Sequence, residues 1–332
     1  MHCQLRVLNE VKFSVALCSY NGAAFIQEQL ESIVSGSVQP SQIVVCDDGS
    51  SDTTADIVRA FAANSEVSVE LHVNSENLGY VKNFEKAVTL CRHPIIFLSD
   101  QDDIWINDKA ALVLAEFQNP EVGGVFSDAD LAGDDLTPMG MTVFSRLLSK
   151  KSQKKLGSGD QDAMLAFLLS RPIVTGATFA FRNALLKNVI PFPDSRYFIH
   201  DGWLALAIAS MSKLTVINRS LIIYRQHALQ QVGLPKEGKP SAKSIQYPTL
   251  RRDYAHFYIE VSALLLSIPN IRPSARKILA DAIAHNNVRV SLDRKLAGRP
   301  LAILAEVFKG RYHRFSSGLP SALKDLLAPQ KG

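Results

Sequence analysis

The chain reads as an α/β protein with a mainly parallel, doubly wound sheet, followed by an all-helical extension. Three observations point there. Apolar runs of strand length at 13–18, 43–46 and 95–98 are almost free of polar residues, as in strands buried on both faces. Between them lie segments with apolar residues at helical spacing, such as Ile26, Leu30, Ile33 and Val34. Strand and helix alternate at a rhythm that fits right-handed crossovers, whereas beyond residue 248 only helical periodicity remains.

The first strand ends in Ser19-Tyr20-Asn21-Gly22, and the helix after it stops before Gly36 and Pro40. The second strand ends in Asp47-Asp48-Gly49-Ser50-Ser51-Asp52, where Ser51 or Asp52 can cap a helix whose apolar face is Val58, Phe61 and Ala62. Val67, Val69, Leu71 and Val73 alternate as a third strand. Asn77-Leu78-Gly79 is a loop, and Val81, Phe84, Val88 and Cys91 mark the next helix. The fourth strand runs into Ser99-Asp100-Gln101-Asp102-Asp103-Ile104-Trp105. Crowded carboxylates are costly unless a cation or hydrogen bonds relieve them, and the carboxyl end of a parallel strand is where open α/β sheets bind ligands. A divalent cation with hard oxygen ligands is the natural partner; a solvated acidic turn is the alternative.

A helix over 111–117 leads to a strand at 124–127, and turns follow through 133–140. The polar, Gly/Ser/Lys-rich stretch 149–162 is expected to be a mobile loop. A strand at 175–181 precedes His200-Asp201-Gly202-Trp203, which opens an apolar helix reaching Met211. The last strand, 221–224, runs into Arg225-Gln226-His227. Residues 233–247 are Lys/Gly/Pro/Ser-rich and read as flexible, and helices are expected over 249–267, 273–297, 301–309 and 319–327. The chain thus divides into a body, 11–232, and a helical unit, 248–330.

Composition excludes several classes. Cys3, Cys18, Cys46 and Cys91 show no C-x-x-C spacing, so neither a zinc site nor a disulfide framework is expected. No G-x-G-x-x-G follows the first strand and no P-loop occurs, which argues against a dinucleotide site or a Walker triphosphate site. The start of the chain carries Arg6, Glu10 and Lys12 without an apolar core of its own, and no uncharged apolar run approaches the ~20 residues of a membrane span. A cytoplasmic protein is expected, either soluble or peripheral on the inner face of the membrane. Residues 1–235 hold 19 Lys and Arg against 25 Asp and Glu, whereas residues 236–332 hold 17 against 7. The two ends should therefore meet different partners. For the basic end the alternatives are packing on the body or docking on an anionic membrane surface, with Leu301, Leu304, Ala305 and Phe308 ahead of Lys309, Arg311 and Arg314. No nucleic-acid partner is expected.

Four motifs stand in order at strand or helix ends: Ser19-Tyr20-Asn21-Gly22, 47–52, Asp100-Gln101-Asp102-Asp103 and His200-Asp201-Gly202-Trp203. Together they resemble the family 2 glycosyltransferases with the GT-A fold, over roughly residues 11–230. Residues 99–105 with Tyr224-Arg225-Gln226-His227 are most similar to the rhamnosyltransferase-type branch of bacterial polysaccharide synthesis. The resemblance implies an inverting transfer from a dTDP- or UDP-linked sugar to a saccharide or lipid-linked acceptor, with Mg²⁺ or Mn²⁺ as cofactor. It implies that Asp48 accepts the pyrimidine N–H, that Cys18 and Tyr20 line the nucleotide pocket, and that Asp100 meets ribose or sugar hydroxyls. It makes Asp102 a metal ligand, Asp201 the catalytic base kept ionised at a helix start, and His227 a contact to metal or diphosphate. Lys82 is expected either to reach a phosphate or to be a solvated helix lysine. Gly176, His200 and Trp203 are expected beside the acceptor. No Q-x-x-R-W motif of processive members occurs, so one sugar per encounter is expected. A nucleotidyltransferase would want a Gly-rich cationic loop after the first strand, and a non-catalytic binding module would not need both Asp102 and Asp201.

Overall fold

The computed structural model describes residues 11–171, 173–193, 199–228, 230, 251–292 and 298–327. The strands are β1 (Phe13–Ser19), β2 (Gln42–Asp47), β3 (Val69–Val73), β4 (Ile95–Ser99), β5 (Ile104–Trp105), β6 (Val122–Ala132), β7 (Pro138–Thr142), β8 (Phe179–Arg182) and β9 (Lys213–Arg225). The helices of the body are α1 (Ile26–Val34), α2 (Thr54–Asn64), α3 (Tyr80–Leu90), α4 (Lys109–Glu116), α5 (Val143–Leu147), α6 (Lys150–Leu156), α7 (Gln161–Ser170) and α8 (His200–Met211). The extension holds α9 (Arg251–Ser267), α10 (Pro273–Ser291), α11 (Arg299–Phe308), α12 (Arg311–Phe315) and α13 (Leu319–Leu327).

One sheet runs in the order β3-β2-β1-β4-β8-β6-β9-β5, with β7 paired to β6. Every residue of β1, β2 and β4 is buried, which is why their sequences lack the alternation of a half-exposed strand. β1, β2, β3 and β4 are mutually parallel where they pair, and β8 reverses the direction against β4. Register pairs Ser19 with Asp47 and Leu17 with Ser99, so the turns after β1, β2 and β4 leave the sheet at one level. That common edge is what gathers the motifs.

Three local expectations are corrected. The stretch 149–162 contains α6 rather than a loop, because Lys, Gln and Leu are good helix formers and the break before α7 is confined to 157–160. Asp160 then caps α7, its Oδ1 accepting from the backbone N–H of Asp162 and of Ala163, each at 3.0 Å. The first half of β9 is only partly buried, so its polar residues hide a strand that extends back to Lys213. At 176–178 the chain makes a 3-10 turn before β8 begins. The polar stretch 233–247 lies outside the described residues, as do Cys3 and the first ten residues; Cys18, Cys46 and Cys91 are buried free thiols. On the far side of that stretch, Val261 and Leu265 of α9 and Ile278 and Leu279 of α10 belong to the same hydrophobic cluster as the sheet. A smaller cluster of Leu292, Ile303, Tyr312 and Ala322 serves α11 to α13.

Candidate active site

A cleft of about 820 Å³, counting space open to solvent, lies where the turns after β1, β2 and β4 meet α3 and the start of α8. Its walls include Cys18, Tyr20, Asp48, Asp100 and Asp102, with Gly176, His200 and Asp201 opposite in sequence and adjacent in space. Eight of the eleven residues singled out from the sequence thus share one cavity.

The turns are braced against one another by side chains. Asn21, in the left-handed region at φ 48°, accepts from Ser51 N through Oδ1 at 2.8 Å, while its own N–H donates to Ser50 Oγ at 2.8 Å. Gln101 accepts from Tyr20 N at 2.8 Å and donates to Tyr20 O at 3.2 Å, locking the β4 turn to the β1 turn. Asp48 accepts from Asn74 Nδ2 and Leu78 N at Oδ1, both at 2.8 Å, and from Gly79 N at Oδ2 at 2.9 Å. It therefore builds the Asn77-Leu78-Gly79 loop as well as facing the cleft, and Oδ2 keeps an acceptor position. The cap position of α2 falls on Thr53 rather than on Ser51 or Asp52; Asp52, one residue earlier, accepts from Thr54 N at 3.0 Å and Ala23 N at 3.2 Å.

The acidic turn after β4 is electrostatically crowded. Burial, then the neighbouring Asp102 and Asp201, push the Asp100 carboxyl up to about 8, against the opposing pull of Lys109. Burial, then the neighbouring Asp102 and Asp100, raise Asp103 well above the usual carboxylate range as well. Asp103 faces β9, with Oδ1 accepting from Arg225 N at 3.2 Å and Oδ2 buried without a hydrogen-bond partner among the described residues. Asp102 Oδ2 lies 2.8 Å from His227 Nε2. His227 is not a wall of the cleft and reaches it through Asp102.

Two cations behind this turn were not singled out from the sequence. Arg225 donates to Asp102 O at 2.9 Å, Asp134 O at 2.7 Å and Glu28 Oε2 at 2.6 Å. Lys109, only 1% exposed, donates to Ala177 O at 2.7 Å and sits 3.7 Å from the Trp105 ring centroid. Burial pushes its ammonium down to about 7, with Asp103 and Asp100 opposing. Lys109 has no motif of its own, and Arg225 stands in the Tyr224-Arg225-Gln226-His227 motif without a role read for it; a buried Lys or Arg is recognisable only by what surrounds it.

Asp201, the second residue of α8, accepts from Gly176 N at 2.8 Å and Gly202 N at 2.6 Å. Burial raises it to about 7, and these backbone bonds only partly offset the shift. The expectation that the helix start would keep it ionised is corrected, because desolvation outweighs the favourable end of the helix. His200 stacks on Phe84 with centroids 3.8 Å apart, and burial pushes its imidazole down to about 3. A Cβ on Gly176 would fall 2.9 Å from His200 Nε2, so only glycine allows this approach. Burial first, then Cys46, Asp100 and Asp48, raises the Cys18 thiol well above its usual range, making it a neutral wall residue.

Two residues are not brought to the cleft. Lys82 Nζ donates to Glu85 Oε2 at 3.0 Å and Phe192 O at 3.3 Å with its side chain 43% exposed, which fits the helix-surface alternative expected for it rather than a wall of the cleft. Trp203 is 4% exposed in the core, its Nε1 donating to Val189 O at 2.9 Å. Two residues past Asp201, and so on the opposite side of α8, its ring packs inward rather than toward a sugar.

No group of three or more His, Cys, Asp or Glu able to hold a metal ion occurs among the described residues. Asp102 with His227, beside two strongly crowded carboxyls, nevertheless fits a hard divalent ion that takes most of its ligands from phosphate and water.

The model of glycosyl transferase family 2 matches residues 14–189. The chain is 24% identical over 220 residues to an uncharacterised glycosyltransferase of Nostoc sp., covering 65% of each. It is 28% identical over 178 residues to a poly-β-1,6-N-acetyl-D-glucosamine synthase of Staphylococcus epidermidis, covering 53% of this chain and 40% of the relative. A dTDP-rhamnosyl transferase of Shigella flexneri is 38% identical over 98 residues, 28% of this chain and 34% of that one. The chain therefore spans less than two thirds of each of these relatives. Among solved structures, S. aureus TarS 1–349 in complex with UDP-GlcNAc has a TM-score of 0.53 at 18% identity, covering 95% of this chain and 82% of that one. The Pyrobaculum calidifontis mannosyltransferase PcManGT, in complex with GDP-Man and Mn²⁺, has a TM-score of 0.53 at 18% identity, covering 96% and 88%. At that identity the likeness establishes the fold, a GT-A arrangement.

Proposed function

The chain belongs to glycosyl transferase family 2, and we propose that it transfers a sugar from a pyrimidine nucleoside diphosphate to a hydroxyl acceptor with inversion. The observation that carries this reading is the meeting of Asp48, Asp100, Asp102 and Asp201, from three separate motifs, around one cleft. In the proposed step the acceptor oxygen bonds to the anomeric carbon as the bond from that carbon to the diphosphate oxygen breaks. The electron pair leaves on the nucleoside diphosphate, and the hydroxyl proton passes to a carboxylate oxygen of Asp201. A base poised near 7 is both substantially ionised at neutral pH and basic enough to accept that proton.

Asp48 keeps an acceptor position on Oδ2, which suits the N–H of uracil or thymine, and Asp100 suits ribose or sugar hydroxyls. Mg²⁺ or Mn²⁺ would be held by Asp102 and His227, and when bound it offsets the charge of the departing diphosphate. Likeness to a dTDP-rhamnosyl transferase supports dTDP-rhamnose as donor, with a UDP-sugar as the alternative, and a saccharide or lipid-linked saccharide as acceptor. The test is a screen of nucleotide sugars with either cation, read by thermal shift and by release of free nucleoside diphosphate. Stabilisation and release with dTDP- or UDP-sugars are expected. Equal or better response to GDP-sugars would overturn the assignment of Asp48.

A further inference from the structure

The extension carries an apolar surface that the transfer reaction does not use. Seven of the twelve large hydrophobic residues exposed among the described residues sit on α11 and α13. On α11, Leu301 is 73% exposed, Leu304 50% and Phe308 87%, while Arg299, Ile303 and Glu306 occupy the buried side. On α13, Leu319, Leu323, Leu326 and Leu327 form a second outward stripe, 57, 56, 41 and 72% exposed. The spacing is that of two amphipathic helices with their apolar faces outward.

The charges around these stripes are sorted by sign. Residues 299–327 contain two carboxylates, Glu306 and Asp325, each only 1% exposed. Glu306 is held by His285 at 2.9 Å and Arg311 at 3.1 Å. Asp325 accepts from Arg289 Nε and from the Tyr312 hydroxyl, both at 2.9 Å. Every acidic group of this segment is thus turned inward and neutralised, while Lys309, His313 and Lys324 stand exposed. A surface of leucine and phenylalanine rimmed by cations and free of exposed carboxylates is complementary to a bilayer with anionic headgroups. Protein interfaces are depleted of charges of both signs, whereas here cations remain around the apolar stripes. No helix among the described residues is long and apolar enough to cross a membrane, so the fit is to the interface plane.

We propose that α11 and α13 dock the protein on an anionic lipid surface, with Leu301, Phe308, Leu323 and Leu327 entering the headgroup boundary and Lys309 and Lys324 meeting lipid phosphates. The docking is independent of which sugar is moved. It is tested on the full chain by sedimentation with vesicles of phosphatidylglycerol and phosphatidylcholine, against pure phosphatidylcholine, at low and high salt. Binding to the anionic vesicles, weakened by salt, is expected. Leu301→Ser with Phe308→Ser should lower that affinity about ten-fold or more, since two exposed side chains lose their apolar transfer. Lys309→Glu with Lys324→Glu should abolish the preference for anionic lipid. Thermal melting and its shift by UDP or dTDP should be unchanged in the serine pair, so donor binding is scored separately. No sedimentation, equal binding to neutral vesicles, or full binding by the serine pair would overturn the proposal. So would a parent dimer in ultracentrifugation that the serine pair renders monomeric without any vesicle binding, which would make the face a contact between copies.

Discussion

Asp201 ties Gly176 to the start of α8 and is proposed as the base that takes the acceptor proton, two demands on one carboxyl. Its carboxyl is pushed up to about 7, so it is protonated below that pH and ionised above. The folded value lies above the ordinary carboxylate value, so ionising it costs stability as pH rises from about 4 to about 7, whereas catalysis as a base needs that ionised form. kcat/KM should therefore fall with unit slope as pH drops below about 7. Asp201→Asn should lower turnover by ~10²–10⁴-fold and remove that limb, while donor affinity stays near the parental value. Steady-state rates across pH, with melting checked first, decide it; parental turnover in the variant would reduce Asp201 to a backbone tie. At this scale the sequence exposed carboxylates well, because an acidic cluster where a buried strand ends is out of place unless a ligand explains it. It exposed their supports poorly. Lys109 and Arg225 are ordinary cations until their burial is known. Trp203 was misread because an aromatic beside a polar motif looks available, and only the turn of α8 shows that it is not.

At the scale of elements, the active edge is a set of turns held together by side-chain clamps rather than by strand pairing. The fully buried strands were legible from their unbroken apolar runs, whereas α6 was concealed by its polar composition and the start of β9 by partial exposure. The clamp between Gln101 and Tyr20 left no periodic trace, although it decides the identity of Gly22. A Cβ there would fall 2.1 Å from Gln101 Oε1, so Gly22→Ala must expel the Gln101 side chain and break both bonds to Tyr20. Each of Gly22→Ala and Gln101→Ala should cost ~1–3 kcal/mol and weaken donor binding, since Tyr20 loses its backbone partners. The double variant should be scarcely worse than Gln101→Ala alone, because the clash disappears with the side chain. Denaturant unfolding of the three variants measures this. Fully additive losses would mean that the β1 and β4 turns are not coupled through this pair.

For the molecule as a whole, composition marks a change at about residue 236 from a net acidic to a net basic chain. Which helical faces meet the body is a tertiary matter and leaves no signature in charge or period. Phe13 of β1 and Phe315 of α12 lie in one hydrophobic cluster that takes in Leu265 of α9, which is fully buried. Arg272 adds polar ties to the body, donating to Asp162 Oδ1 at 2.8 Å and Ala209 O at 3.0 Å. Shared burial on this scale predicts that sheet and extension unfold together. Leu265→Ala should then cost ~2–5 kcal/mol through loss of apolar burial and the cavity left behind. It should lower the temperature of the same calorimetric transition that UDP or dTDP raises, since ligand and leucine stabilise one cooperative unit. Two transitions, with the nucleotide-sensitive one unmoved by Leu265→Ala, would instead show that residues 248–330 fold as a domain of their own and that the common cluster does not couple them.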